Sequence, residues 1–187
     1  MAKLASSGAG AAVAPARTGS PHATIEQRLK NAASAEFVCA EISKIFNVAT
    51  TEVALLRVEG DALNFLFPPE LRSVGSIPLS SAKAVAARTA TSRKVELFNH
   101  FVIVQHANLF ETVKLSTFGQ SIAPGANTIQ KLMTAPVVDT QERVLGIIQV
   151  CHKGLTPDDS GPDFTLGDLH HLEIVSRTIA GLSFMRT

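Results

Sequence analysis

Hydrophobic and polar positions along the chain repeat with two different periods, and each period predicts one kind of secondary structure. From Thr24 onward, apolar residues recur every three to five positions, which predicts a helix that ends near Phe46. Thr24 and Gln27 have the spacing of a capping box, which is typical of a helix start. Residues 52–58 and 62–67 are apolar runs on either side of a Glu-Gly-Asp turn, so they predict a β-hairpin.

The middle of the chain has weaker patterns. A helix is predicted over residues 82–91, and a short strand over residues 94–98. Residues 102–115 are ambiguous and are expected to include a short helix. Residues 116–127 contain two glycines and one proline, so they predict a loop.

A second hairpin is the clearest pattern in the chain. Its strands are predicted over residues 129–138 and 144–152, because two apolar runs flank a short polar turn. A polar loop follows. Thr165 and Asp168 then form a capping-box signal, and a closing helix is predicted over residues 166–185.

These elements predict an α+β fold rather than a doubly wound parallel one. Hairpins imply antiparallel pairing, so we expect a central antiparallel sheet of five or six strands. The terminal helices should pack on one face of the sheet, with loops and short helices on the other. The chain of 187 residues is interpreted as a flexible low-complexity tail over residues 1–23 and a single domain over residues 24–187.

Composition excludes several classes of function. The net charge of +1 favours neither nucleic acid nor a membrane surface as partner, and no apolar run is long enough to span a membrane. Cys39 and Cys151 lie far apart without a CxxC motif, so no metal site is predicted. Both lie in apolar stretches that predict buried free thiols, which fit a reducing cytoplasm.

Several short motifs in the second half of the chain have a distinctive order and spacing. Residues 135–137 read Ala-Pro-Val, residues 146–150 read Gly-Ile-Ile-Gln-Val, and Phe164-Thr165 precede Asp168 at the start of the last helix. The chain therefore resembles the GAF family, and the resemblance implies the same α+β fold. It implies a non-enzymatic sensory or regulatory module that binds a small molecule, forms a homodimer, or both, and relays a signal to a separate partner protein.

The resemblance also implies a ligand pocket. Three phenylalanines would form its walls, two polar residues would contact the ligand, and one lysine would lie at the rim. These candidates are Phe98, Phe110 and Phe118, then Asn99 and His106, then Lys153. No catalytic residue, metal ligand or cofactor is assigned, and the identity of the ligand stays open.

Two departures from the family bear on the ligand and on the chemistry. Cyclic-nucleotide-binding members carry Asn-Lys after the strand, whereas this chain has His152-Lys153, so a cyclic nucleotide is a disfavoured ligand. A small redox enzyme of the same fold, reducing a sulfoxide or disulfide through Cys151, stays open as the alternative. Strand alternation predicts that Cys151 is buried and that its neighbour His152 is exposed.

The closing helix carries an apolar stripe that predicts contact with a second copy of the chain. Leu172, Val175, Ile179 and Leu182 are spaced by three, four and three residues, as in a helical seam. Further apolar residues lie off the stripe in both terminal helices, among them Phe37. We therefore expect a homodimer formed through the terminal helices.

Overall fold

The computed structural model describes residues 21–73, 75–101 and 128–186. Residues 1–20 of the predicted tail, the short helix within 102–115 and the loop over 116–127 lie outside these residues, whereas residues 21–23 belong to the first helix of the structure. The helices are α1 Pro21–Leu29, α2 Ala35–Phe46, α3 Val85–Ser92 and α4 Leu166–Ile179. The strands are β1 Val53–Glu59, β2 Ala62–Phe67, β3 Ile77–Pro78, β4 Glu96–Phe98, β5 Thr128–Val138 and β6 Val144–Gly154.

The sheet has six antiparallel strands in the order β3-β2-β1-β6-β5-β4, so the predicted sheet is confirmed. Both predicted hairpins are present, and β5 pairs with β6 along almost its whole length. Gly146 of β6 lies opposite Arg57 of β1. A Cβ atom there would be 2.1 Å from the carbonyl oxygen of Leu56, so only glycine allows this approach.

The single helix predicted for the N-terminal part is wrong, because the structure has two helices there. Ser34 begins α2: its hydroxyl oxygen accepts a hydrogen bond from the backbone N–H of Phe37 at 3.2 Å. Such a side chain offers the backbone an alternative to a continuous helix. The first helix already begins at Pro21, so Thr24 lies inside it and is not its cap.

Other boundaries differ by a few residues. Helix α3 begins after Ala84, three residues later than predicted. Helix α4 ends at Ile179, and a short 3₁₀ turn, Ser183–Met185, follows it. The Thr165–Asp168 capping box is confirmed, with the Thr165 oxygen accepting from the Asp168 N–H at 3.1 Å.

The two faces of the sheet are covered by different helices, as predicted. Helices α1, α2 and α4 pack on one face, called here the helical face, and α3 packs on the other, called the α3 face. The stripe of α4 that we predicted as a dimer seam lies inside this packing. Leu172, Val175 and Ile179 are fully buried and Leu182 nearly so, all in the core of their own protomer. The stripe therefore stabilises the fold and offers no surface to a second copy.

No helix within the described ranges is both long and apolar enough to cross a membrane.

Candidate functional site

Strand β6 divides its side chains between the two faces of the sheet. Ile147 and Cys151 belong to the core of the α3 face, whereas Ile148 and Val150 belong to the core of the helical face. Because side chains alternate along a strand, Gln149 faces α3 together with Ile147 and Cys151. The α3 face therefore combines apolar residues with an amide and a thiol, both of which can contact a ligand.

A row of polar residues crosses the α3 face. Glu96, Thr134 and Gln149 lie opposite one another on β4, β5 and β6. The Thr134 hydroxyl donates to the Thr89 oxygen of α3 at 3.2 Å, and Arg88 of α3 forms an ion pair with Glu96 at 3.1 Å. Two members of the row are thus satisfied by α3.

Gln149 differs from its neighbours in the row. Its side chain is buried, with 1% of the residue exposed, and its Nε2 group has no hydrogen-bond partner in the described part of the chain. An unpaired buried donor costs about 1–3 kcal/mol. On the adjacent strand β1, Gln149 is paired with Ala54, which contributes only a methyl group to this face. This donor is therefore available to a water molecule or to a ligand.

A second buried amide lies near the start of β5. Gln130 donates from Nε2 to the Thr128 hydroxyl at 2.8 Å and to the Gly154 carbonyl at 3.0 Å. Its Oε1 has no partner within the described ranges. The β5–β6 register shifts at this residue, so Gln130 marks an irregular position of the strand.

Three of the six predicted ligand residues, His106, Phe110 and Phe118, lie outside the described residues. Phe98 is on the α3 face, where its ring meets Phe101 edge-on at 6.0 Å between centroids. The role of all four in binding stays a prediction.

The two remaining candidates bind backbone groups of their own chain. Asn99 donates from Nδ2 to the Phe164 carbonyl and accepts the Phe164 N–H at Oδ1, both at 3.0 Å. Lys153 donates from Nζ to the Thr51 carbonyl at 2.7 Å, and its backbone N–H donates to Glu52 at 2.7 Å. Asn99 therefore links the end of β4 to the residue just before the capping box of α4.

The prediction for the neighbouring pair Cys151 and His152 is half wrong. Cys151 is buried as expected, but His152 is buried too, with 7% exposed. Its ring stacks on Phe164 at 4.4 Å between centroids and 11° between planes. The alternation assigns the two residues to opposite faces correctly; the error arose because both faces are covered at this point.

The two cysteines lie on opposite faces of the sheet. Cys39 belongs to the core of the helical face and Cys151 to that of the α3 face, so they cannot form a disulfide in this fold. Burial, and then the charge of Glu36, raises the pKa of the Cys39 thiol far above its usual value. Cys39 is therefore an inert core residue.

A polar cleft of about 400 Å³ lies where the β5–β6 turn meets the C-terminal 3₁₀ turn. Its arginines already have partners: Arg143 pairs with Asp139 at 2.7 Å, and Arg57 binds Glu59 and donates to the Phe184 carbonyl. The backbone N–H of Arg143 is the main cause that lowers the pKa of Asp139, which keeps the pair charged. The cleft is therefore less suited to an anionic ligand than its arginines suggest.

No group of three or more His, Cys, Asp or Glu side chains that could hold a metal ion occurs in the described ranges.

No family model and no curated protein matches this sequence. Solved structures match in fold. The GAF domain of an Acinetobacter phosphoenolpyruvate-protein phosphotransferase is similar, with a TM-score of 0.58 and 13% identity over 86% of this chain and 88% of that one. Residues 122 to 287 of a methyl-accepting chemotaxis protein are similar, with a TM-score of 0.60 and 10% identity over 83% and 92%. The fRMsr of Staphylococcus aureus in its reduced form has a TM-score of 0.50 and 14% identity over 87% and 95%.

Proposed function

Because the protein has a GAF-like fold, we propose that it is a non-enzymatic sensory or regulatory module. In this proposal it binds a small molecule on the α3 face and relays the binding through its terminal helices to a separate partner protein. The observation that carries the proposal is the buried Nε2 of Gln149, unpaired among the described residues, in an otherwise satisfied polar row.

The chemistry of the α3 face favours a neutral ligand with a hydrogen-bond acceptor. The free donor is an amide, and an amide N–H requires an acceptor such as a carbonyl or hydroxyl oxygen. Glu96 of the polar row and Arg88 of α3 are paired with each other. An anionic ligand such as a cyclic nucleotide needs a cation, and Lys153 already donates to the Thr51 carbonyl. Apolar surroundings with few polar groups are usual for such sites.

The experiment is native mass spectrometry of the purified protein followed by identification of any bound molecule. We expect a neutral compound whose binding weakens in Gln149→Met, which keeps the side-chain volume and removes the donor. Gln141→Met, in the exposed hairpin turn, is the matched control and should bind normally. Equal binding by both variants would remove Gln149 from the site.

A redox enzyme is the second candidate, since Cys151 lies on the α3 face. Some solved structures with this fold are free methionine-R-sulfoxide reductases. Cys39 lies on the opposite face, so a thiol from another molecule would have to complete the cycle. Turnover of free methionine sulfoxide with an added thiol reductant, lost in Cys151→Ser, is the result that would favour this candidate over a sensor. Both candidates fit a reducing cytoplasm.

A homodimer through the terminal helices stays part of the proposal, with a different contact surface. Phe37 of α2 is 49% exposed and faces away from the core that buries the α4 stripe. A second copy of the chain would cover this ring. Light scattering should give a dimer mass for the parent and a monomer mass for Phe37→Glu; a monomeric parent would exclude the dimer.

A further inference from the structure

Residues 155–165, which connect β6 to α4, are fastened to the end of the sheet by three polar side chains. Asn99 binds the Phe164 backbone twice, as described above. Lys131 of β5, with 5% of the residue exposed, donates from Nζ to the Gly161 carbonyl at 2.5 Å. His152 of β6 stacks on the Phe164 ring. The first turn of α4 is thereby tied to the sheet.

The imidazole of His152 is the centre of this arrangement. Phe164 covers one side of the ring at 4.4 Å. The backbone at Gly161 also runs beside it: a Cβ atom there would be 3.5 Å from both Nδ1 and Cε1. Gly161 has a φ of +102°, which other residues rarely adopt, so the backbone conformation at this position requires glycine. The Phe164 ring and the backbone at Gly161 thus both lie against the imidazole.

Charged groups reach His152 from each element packed against it. Lys131 comes from β5, Glu52 from the turn before β1, and Asp168 from the first turn of α4. Asp163 is held by Lys131 at 2.8 Å, so part of its charge is already balanced. Burial is the largest influence and lowers the pKa of His152. The charges of Glu52 and Asp168 raise this pKa, and the charge of Lys131 lowers it. The net result is a pKa below the usual value for histidine.

We propose that His152 is a proton-operated latch: in its neutral form it holds residues 155–165 and the start of α4 on the sheet, and its protonation releases them. A proton on the ring would add a second buried cation beside Lys131, and burying charge is costly. Release would let the imidazolium enter water. This proton response is an input distinct from ligand binding on the α3 face, and it acts at the opposite side of β6.

The sign of the pH dependence follows from the lowered pKa. The released state has an ordinary histidine pKa near 6.5, so it takes up the proton more readily than the latched state. The latch is fully stable above about pH 6.5 and weakens as the pH falls from there toward the lower pKa of the latched ring. Inside that window, each unit by which the pH falls raises the fraction of released molecules by up to about tenfold.

Hydrogen exchange of residues 155–168 in the full chain, measured at pH 7.5 and 5.5 and corrected for the intrinsic rate, tests the proposal. We expect several-fold more opening at pH 5.5 in the parent. His152→Phe keeps a ring on Phe164 and cannot titrate, so it should show equal opening at both values. His170→Gln changes an exposed histidine of α4 and should behave like the parent.

Opening that is equal at both pH values in the parent, or that rises equally in His152→Phe, would overturn the latch. If His152→Phe does not fold, the titration of the His152 ring in the parent, followed by NMR, decides. A titration midpoint below 6.5 that coincides with the opening of residues 155–168 supports the latch, and an ordinary or raised midpoint refutes it. Neither measurement uses a ligand, so the outcome is independent of the proposed small-molecule site.

Discussion

Replacing Gln149 by methionine should stabilise the ligand-free protein, although glutamine is buried there. Met and Gln have similar volume and flexibility, so the substitution keeps the packing between β6 and α3. It removes the Nε2 donor of Gln149, which has no partner among the described residues. Only 1% of the surface of this residue is exposed. A volume-conserving core substitution usually lowers stability slightly; here removal of the unpaired donor should reverse the sign.

The magnitude follows from two opposing contributions. Relief of the unpaired donor gains about 1–3 kcal/mol. Imperfect repacking of the thioether and any loss at the amide oxygen offset up to about 1.5 kcal/mol of this. We therefore expect a net gain of about 1 kcal/mol, which raises the melting temperature by about 2–4 °C in a protein of this size.

Urea unfolding followed by circular dichroism measures this change. The midpoint should rise while the slope with denaturant stays constant, since the slope reports the surface exposed on unfolding. Native mass spectrometry must first establish that the sample carries no bound molecule. The control is Thr134→Val in the same polar row: it breaks a hydrogen bond at 3.2 Å and should lower stability by about 1 kcal/mol. A loss of 1 kcal/mol or more in Gln149→Met would refute the reasoning, because it would mean that the amide is fully paired.

Further substitutions test the scaffold around the site. Gly146→Ala should lower the free energy of unfolding in urea by about 3 kcal/mol, because its Cβ would lie 2.1 Å from the Leu56 carbonyl oxygen. Gly167→Ala, in the first turn of α4, should instead raise it by about 0.5 kcal/mol. Equal effects of the two would argue against this close contact. Thr165→Ala removes the cap of α4 and should cost about 1 kcal/mol by the same assay; an unchanged midpoint would show that the cap contributes nothing. Asn99→Ala leaves two backbone groups before α4 unpaired, so hydrogen exchange there should exceed that of the parent by the same factor at pH 7.5 and at pH 5.5.

The strands were predictable because their signals are local. β2 has the predicted bounds, and both strands of the second hairpin differ from their predictions by one or two residues at their outer ends. Turn residues and apolar runs are enough for this result. The break between α1 and α2 was missed because the apolar spacing continues through it, while the capping hydroxyl of Ser34 is one polar residue among several. β3 has two residues, too few for any periodic pattern.

The site was less predictable because it depends on what covers each face. Strand alternation places Cys151 and His152 on opposite sides but does not reveal that the residues before α4 cover His152. Gln149 had a usable signal, because it is a polar residue inside a long apolar run of a central strand. Such a residue is buried by its neighbours in sequence and needs a partner that only the tertiary structure can identify.

Strand β6 itself is unsuited to carry a signal from the α3 face to α4. It is hydrogen-bonded to β1 on one edge and to β5 on the other, so a shift along its axis would break both ladders. The route through β4 is more adaptable, because β4 has three residues and pairs only with β5 among the described strands. Phe98 lies on the α3 face, and the next residue, Asn99, holds the backbone before α4 through two hydrogen bonds. A ligand that displaces Phe98 would therefore move the start of α4 through Asn99. If this is the route, Asn99→Ala should leave ligand affinity nearly unchanged while removing the ligand's effect on hydrogen exchange in α4; a ligand effect that persists would exclude it.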